Sequence, residues 1–545
     1  MTDDHWDTTV DVLVAGSGAA GLTAAITAAD RGLDVLVVES TPLWGGTTSV
    51  SGGGLWMPAN PLMLRAGVPD SAEEALRYMD DVIGDAGPAS SPERRAAFAR
   101  TVPEVVSFLS RHGVRWRRSP DYPDYYPDRP GGTVGRSIES APFDTKLLGD
   151  WYATSRAKES GIPLPLMTDD VWLLARAWST PGGFVRGARF VFRSLGAFAS
   201  GKRPVGIGGA LSCSLMHVVR TQKTPVWLSA PVVDLIVEDG ETVGAVVEKD
   251  GRGQRVRARH GVVLAAGGFA ANAEWRQKHH GVPGYSSAPE GDLGTAIEAG
   301  VRAGGALALM DDAWWGASLV GPGGKASFLV SERSFPFSIM VNASGERFTN
   351  ESASYIDVGH DMLGHDVPGP MWLISDVRHA RRYLNTALLG HRKEWVRAGL
   401  LIEAPSLREL AARIGIDPAR LATTVERFNG FARTGVDTDF ERGRTVYDNY
   451  YGDPRVRPNP NLGPLEKGPF RAVRVYPGDL GTKGGLLTDE HARVLREDGT
   501  AVPGLYAAGN TTASVMGRTY PGPGSTIAPA VVFGYLAARH AAASR

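Results

Sequence analysis

The run Met516-Gly517-Arg518-Thr519-Tyr520-Pro521-Gly522-Pro523-Gly524-Ser525-Thr526-Ile527-Ala528-Pro529-Ala530 sets a phenol a few residues before a glycine amide. Pro523 has no amide hydrogen, so Gly524 is the next backbone donor, and without a Cβ it lets a ligand approach closely. Tyr520 and Gly524 are thereby suited to hold one carbonyl oxygen from two directions. Two donors fixed in this way stabilise the enolate oxygen that develops when the neighbouring carbon loses a proton. The alternative on these residues alone is that Tyr520 packs and the glycines only cap the apolar helix that follows. That helix begins near Ser525, whose hydroxyl is expected to cap it, and its N-terminus favours negative charge.

Two glycine-rich segments at opposite ends of the chain must position this loop. Gly16-Ser17-Gly18-Ala19-Ala20-Gly21 follows the strand-like Val12-Leu13-Val14-Ala15 and precedes an Ala-rich helix from Leu22 to Arg31. The glycines permit a tight turn, close approach to a pyrophosphate and close helix packing, while the helix N-terminus supplies amides. A second strand, Asp34 to Val38, ends in Glu39, an acid placed for a ribose hydroxyl. The segment 45–54, with Gly46, Thr47, Thr48, Ser51, Gly52 and Gly53, is too rich in glycine to be a helix. It looks like the isoalloxazine-approach loop of the flavin-dependent fumarate reductase superfamily. Near the other end, Gly504-Leu505-Tyr506-Ala507-Ala508-Gly509-Asn510 returns to the same pattern, and together the two ends imply one flavin held by both termini. Gly206-Ile207-Gly208-Gly209 lacks the third glycine position and a preceding strand, so no separate NAD(P)H domain is expected. The electron acceptor is then external and not a nicotinamide, a quinone for example.

Between these ends, residues 226–247 read as strands around the turn Glu238-Asp239-Gly240-Glu241, and 261–268 as the strand that returns the chain to the cofactor. From these we assign Val233, Ala266, Gly267, Gly509, Asn510, Ser525 and Ile527 as cofactor contacts beside the N-terminal set. No nucleotide signature occurs from about 292 to 481. The expected fold is α/β: a discontinuous Rossmann-like FAD-binding domain (1–291 and 482–545) interrupted by an inserted α+β substrate domain (292–481), with the site between them.

At 545 residues, 43% of them hydrophobic and 68 glycine, the chain is a large globular protein. A net charge of −1 gives no reason to propose nucleic acid as a partner. The single Cys213 excludes an internal disulfide and a cysteine-cluster metal site, fits a reducing compartment, and reads as a small buried hydrophobe. Lying outside the flavin segments, it also makes the flavin non-covalent. The acidic start MTDDHWDTTV has no apolar h-region, and no uncharged apolar run reaches about twenty residues. A cytoplasmic protein without a spanning segment is expected.

With these segments in place, the chain resembles the 3-ketosteroid Δ1-dehydrogenases over most of its length, most strongly at 10–56, 121–139, 332–357 and 484–536. The resemblance implies that Tyr520 and the Gly524 amide hold a steroid C3 carbonyl. It also implies that the base is the tyrosine after an Asn-Glu pair, here Asn350-Glu351-Ser352-Ala353-Ser354-Tyr355. An assisting tyrosine lies in Asp121-Tyr122-Pro123-Asp124-Tyr125-Tyr126-Pro127; Tyr126 is favoured, Tyr125 stands close behind, and Tyr122 stays open. The implied reaction removes a proton from C2 to Tyr355 and a hydride from C1 to flavin N5. A phenol of pKa about 10 is a poor base at neutral pH unless a donor favours its anion, which a second tyrosine hydroxyl supplies.

Three alternatives belong beside this one. A fumarate reductase type acting on dicarboxylates needs several cations in its site; Arg333, Arg347 and Arg518 are available, and Thr482-Lys483-Gly484-Gly485 resembles a loop of that group. Arg347 also reads as a turn arginine pairing with Glu351. The related 3-ketosteroid Δ4-(5α)-dehydrogenases would lack the assisting N-terminal tyrosine. A flavin-bearing binding or sensor protein would need a degenerate site. Finally, Phe184 to Leu195 places Arg186, Arg189 and Arg193 at helical spacing among aromatic and aliphatic residues. Its apolar stripe is expected to pack on the body, with weak association to an anionic membrane surface as the alternative.

Overall fold

Parallel pairing organises the cofactor half. In the computed structural model, which describes residues 5–159, 163–282, 284–385, 388 and 391–544, strand Thr8–Ala15 lies between Val35–Val38 and Arg252–Leu264, all parallel. Val12, Leu13 and Val14 are fully buried, as a strand covered on both faces requires. Val226–Trp227 extends one side, and Ala501–Ala507 joins Arg252–Leu264 in parallel on the other. The C-terminal segment therefore completes the sheet that the N-terminal segment begins. The expected hairpin is present as Val232–Glu238 and Glu241–Lys249, and Arg493–Leu495 brings the sheet to eight strands. Helix Ala19–Asp30 packs against helix Ile527–Ala543, which joins the two termini a second time. The first four residues of the acidic N-terminal segment lie outside the described residues.

The insertion is built on a seven-stranded, mainly antiparallel sheet whose axis is the 13-residue strand Phe470–Thr482. This strand pairs with Ala313–Val320, Met371–Ser375 and Leu401–Ala404, while helices Leu407–Ile414 and Pro418–Thr434 bury their apolar residues against it. Helix Tyr355–Gly364 lies on strand Ala313–Val320. Its entry turn is fixed by a buried ion cluster: Arg347 grips both oxygens of Glu351 at 2.9 and 2.7 Å, and Arg442 reaches Glu351 at 3.0 Å. Arg347 is thus the turn arginine that its sequence context implies.

Helix Pro181–Ala199 corrects one expectation. Its apolar stripe faces out, with Phe184, Val191, Phe192 and Leu195 exposed and Phe192 at 73%. Two of the three arginines turn inward instead, Arg186 bonding Asp170 at 2.7 Å and Arg193 bonding the other oxygen of that carboxylate, while Arg189 is exposed. Asp170 is fully buried, and a buried carboxylate needs cationic partners more than an apolar stripe needs cover.

Candidate active site

The ends of the parallel strands, the N-terminus of helix Ala19–Asp30 and the turn Thr47–Val50 border one elongated cavity of about 2090 Å³, its open mouth included. Its lining runs from Ser17, Glu39 and Thr41 to Tyr355, Tyr520 and Gly524. At one end the chain turns at Gly16, with φ +107°, where a Cβ would stand 2.2 Å from the Ala265 carbonyl oxygen. Only glycine fits there, and the turn leaves the helix amides facing the cavity. Thr48 Oγ1 accepts the Ala19 amide at 3.0 Å. Glu39 borders the same end, held by the Ser17 hydroxyl at 2.6 Å and the Thr41 amide at 3.0 Å. A glycine turn at a helix N-terminus with an acid beyond the second strand fits a dinucleotide's pyrophosphate and ribose.

Most of the expected cofactor contacts border this cavity: 16, 18–20, 39, 46–48, 51–53, 266–267, 509–510 and 527. Gly21 acts one layer back, where a Cβ would lie 1.9 Å from the Gly16 oxygen. Val233 is a correction. Val232 borders the cavity, whereas Val233 points to solvent at 50% exposure, because adjacent strand residues face opposite sides. Ser525 is a second correction. The helix begins at Ile527, and the Ser525 hydroxyl closes the preceding turn on Gly522, donating to its oxygen at 2.7 Å and accepting its amide at 3.0 Å. Asp292 was missed. Burial pushes its carboxyl up to about 7, and Thr47 Oγ1 stands 3.4 Å away at the cavity wall. The glycine-flanked Gly291-Asp292-Leu293-Gly294 was the available signal.

At the other end the cavity is aromatic. The Tyr125 and Tyr520 rings stack with centroids 5.2 Å apart, and Tyr355 stands edge-on to both, at 5.3 and 4.8 Å. Phe328 closes the far side of Tyr355 at 5.1 Å. Burial raises the Tyr520 phenol, which the nearby Tyr355 hydroxyl, Thr526 and Gly524 amide oppose, and Tyr520 and Gly524 both line the cavity. Gly524 has φ +94°, and a Cβ there would lie 2.1 Å from the Gly54 oxygen. Lys483, fully buried, braces this loop by donating to the carbonyls of Gly517 at 3.0 Å and Thr519 at 2.7 Å; burial lowers its ammonium to about 8.

The structure reverses the order of the assisting tyrosines. Tyr126 does not border the cavity; its hydroxyl donates to Asp357 at 2.9 Å. Tyr125 does, with its ring packed edge-on against Tyr355. Tyr122 and Tyr451 also line the wall and bond each other. Tyr451 was missed, although Tyr447-Asp448-Asn449-Tyr450-Tyr451 is a visible tyrosine cluster. The three arginines that a dicarboxylate site would use are elsewhere. Arg333 is spent on the Ala353 carbonyl at 2.9 Å, Arg347 on Glu351 and Asp437, and Arg518 on Asp311 at the surface.

Known proteins share this fold and cofactor family. The family model of the FAD binding domain matches residues 11–527. The chain is similar to the 3-oxosteroid 1-dehydrogenase of Mycolicibacterium smegmatis, 43% identical with 98% of this chain and 97% of that one covered. It is 38% identical to the 4-oxocyclohexanecarboxylate 2-dehydrogenase of Sinomonas cyclohexanicum, covering 97% and 92% respectively. A solved structure, the 3-ketosteroid Δ1-dehydrogenase of Sterolibacterium denitrificans in complex with 1,4-androstadiene-3,17-dione, matches with a TM-score of 0.92 and 37% identity, covering 99% of this chain and 100% of that one.

Proposed function

Since the chain belongs to the FAD binding domain family and, within it, to the 3-ketosteroid Δ1-dehydrogenases, we propose that Tyr520, Gly524, Tyr355 and Tyr125 carry out the 1,2-desaturation of a 3-ketosteroid. The enzyme is FAD-dependent, and the bound flavin supplies the hydride acceptor for C1. The C3 oxygen sits between the Tyr520 hydroxyl and the Gly524 amide, which strengthen their bonds as enolate charge develops. Tyr355 takes the C2 proton, and Tyr125 donates to its oxygen as that oxygen acts as base. Phe328, Val330 and Leu480 supply apolar wall, and the tyrosine rings exclude water. The observation that carries this reading is the meeting of Tyr355, Tyr125, Tyr520 and Gly524 at one end of a cavity whose other end fits a dinucleotide.

A monocyclic oxo acid is the substrate class of one relative, and succinate is that of the dicarboxylate alternative. Each carries a carboxylate, and the aromatic end offers none of the three arginines as a partner. The test is turnover with an artificial acceptor on a 3-keto-4-ene steroid, 4-oxocyclohexanecarboxylate and succinate. Formation of the 1,4-diene from the steroid alone supports the reading; oxidation of either acid alone overturns it.

The remaining assignments follow from it. The cofactor domain comprises 1–291 and 482–545, and the substrate domain 292–481. Cys213 is buried in helix Ile207–Thr221 away from the cavity wall, which favours non-covalent FAD. The acceptor is external and not a nicotinamide, such as a quinone, and the compartment is the cytoplasm. Among the described residues no helix is long and apolar enough to cross a membrane. The outward apolar face of Pro181–Ala199 instead rests on a membrane surface, from which an apolar steroid reaches the mouth beside Val171. Phe192→Asp with Phe184→Asp should abolish sedimentation with phosphatidylglycerol vesicles; unchanged sedimentation, or none for the unmodified protein, excludes this contact.

A further inference from the structure

The loop that carries Tyr520 has no regular structure of its own to hold it. From 516 to 524 it forms neither helix nor strand, and Gly517 and Gly524 both take positive φ, at +53° and +94°. Glycines leave a chain many conformations, whereas a donor to a developing oxyanion acts only when it is fixed in advance. The hold comes from Lys483, whose fully buried ammonium donates to the Gly517 carbonyl at 3.0 Å and the Thr519 carbonyl at 2.7 Å, two residues and one residue before Tyr520's loop turn. Lys483 directly follows strand Phe470–Thr482, and Asp312 directly precedes strand Ala313–Val320. Those strands pair at Thr482 and Ala313, and the Lys483 amide donates to the Asp312 carbonyl at 3.1 Å. The ammonium therefore stands on the rigid end of the central sheet. Trp314 belongs to the same platform: the ammonium lies 4.5 Å from its ring centre, and its ring stands edge-on to Tyr520 at 5.2 Å.

The charge of Lys483 faces Asp312 Oδ2 at 3.7 Å, an ion pair without a direct hydrogen bond. The other oxygen of Asp312 accepts the Ala313 amide at 2.9 Å and lies 2.9 Å from His360 Nε2. His360 sits on helix Tyr355–Gly364, which Tyr355 begins. Burial works to raise the Asp312 carboxyl, but Lys483 and His360 hold it below the ordinary value, so it stays ionised between them. We propose that Lys483 is a positioning residue for the desaturation: its ammonium sets the Gly517 and Thr519 carbonyls so that Tyr520 meets the C3 oxygen, and Asp312 with His360 keeps that ammonium in register with the helix of Tyr355. The proposal rests on the desaturase reading. A buried ammonium is a poor source of stability, because its desolvation offsets its attraction to the acid and an apolar side chain of similar volume packs as well. What it supplies here is direction, to two carbonyls at once. On the outer side of the loop Arg518 meets Asp311 at 2.9 Å with both side chains exposed, a contact of little weight.

The experiment reads the clamp directly, as the infrared carbonyl stretch of a 1,4-dien-3-one steroid labelled with carbon-13 at C3 and bound to the oxidised holoenzyme. Hydrogen bonds from Tyr520 and Gly524 should lower that stretch in the unmodified enzyme below its frequency in an apolar solvent. Lys483→Met keeps the length of the side chain and removes its donors. It should return the band toward the apolar-solvent frequency and lower kcat about tenfold to 10²-fold with little change in KM, as for a donor displaced from its place. Arg518→Ala, which frees only the exposed side of the loop, should leave the band in place and kcat within about twofold. Lys483→Met with the band and kcat of Arg518→Ala overturns the proposal. So does a Lys483→Met whose loss is confined to melting temperature and flavin retention while the band stays where the unmodified enzyme has it. If Lys483→Met fails to hold flavin, His360→Leu decides: it should move the band in the same direction by a smaller amount, and an unmoved band overturns the proposal. Failure of the desaturase reading is recognised separately, by an unmodified enzyme that the steroid does not bleach or that leaves the carbonyl stretch at its apolar-solvent frequency.

Discussion

The Tyr125 amide donates to the Pro521 carbonyl at 2.9 Å, tying the tyrosine loop of the N-terminal half to the residue that follows Tyr520. Tyr78 bonds the same carbonyl through its hydroxyl at 2.6 Å, and that hydroxyl accepts the Tyr126 amide at 3.1 Å. One carbonyl thus sets the backbone direction of two successive tyrosines, sending the Tyr125 ring onto Tyr520 and the Tyr126 ring away to Asp357.

The first prediction separates those neighbours. Tyr125→Phe removes the hydroxyl proposed to assist Tyr355 and should lower kcat about 10²-fold or more, within the range for a proton-transfer partner. Tyr126→Phe removes only the bond to Asp357 and should leave kcat within about fivefold, on the same scale. Steady-state rates with one steroid and one acceptor decide it; the reverse order would return the assisting role to Tyr126.

A second prediction concerns the carbonyl clamp. Tyr520→Phe should lower kcat about 10²–10³-fold, the cost of removing one donor from an oxyanion site, with FAD still bound. Gly524→Ala should act differently, because the left-handed backbone and the 2.1 Å approach to Gly54 oppose a Cβ whatever the ligand. Its loss should appear in flavin retention and thermal stability as well as in rate, measured from the flavin-to-protein absorbance ratio and the melting temperature.

Much of this arrangement was legible in the sequence where a residue's role is set by its own backbone. Gly16, Glu39 and Gly524 belong to short strand, turn and helix units, and each stands where those units place it. Tyr451 was not legible, because its neighbours in the cavity wall come from distant segments. Val233 shows how a one-residue choice fails in a strand: its neighbour Val232 has the cavity side. Helix Pro181–Ala199 shows a different limit. Periodicity identified its two faces, and only the position of Asp170 decided which of them packs inward.

Stability carries a pH signature at Glu139. This buried acid accepts the Thr168 amide at 2.8 Å and hydroxyl at 2.9 Å, and burial lifts its carboxyl from 4.5 to about 7. The folded state then keeps a proton that the unfolded chain releases as pH rises from about 4.5, so this contribution is stabilising at low pH and is lost between about 4.5 and 7. Glu139→Gln cannot ionise and should lack the slope. Against that variant, the unmodified protein should lose on the order of 1–3 kcal/mol across the window in urea titrations at fixed pH values. Parallel curves for the two proteins would assign Glu139 an ordinary carboxyl.

The most direct measurement is the visible spectrum of the purified protein mixed without oxygen with a 3-keto-4-ene steroid, for the unmodified chain and for Tyr355→Phe. The oxidised flavin band of the unmodified protein should bleach with one 1,4-diene formed per flavin. Tyr355→Phe should bind flavin and steroid and bleach about 10²–10⁴-fold more slowly, the span expected when a proton-abstracting group is lost. Bleaching of Tyr355→Phe at the unmodified rate would remove Tyr355 as the base, and an unmodified protein that the steroid leaves oxidised would contradict the account as a whole.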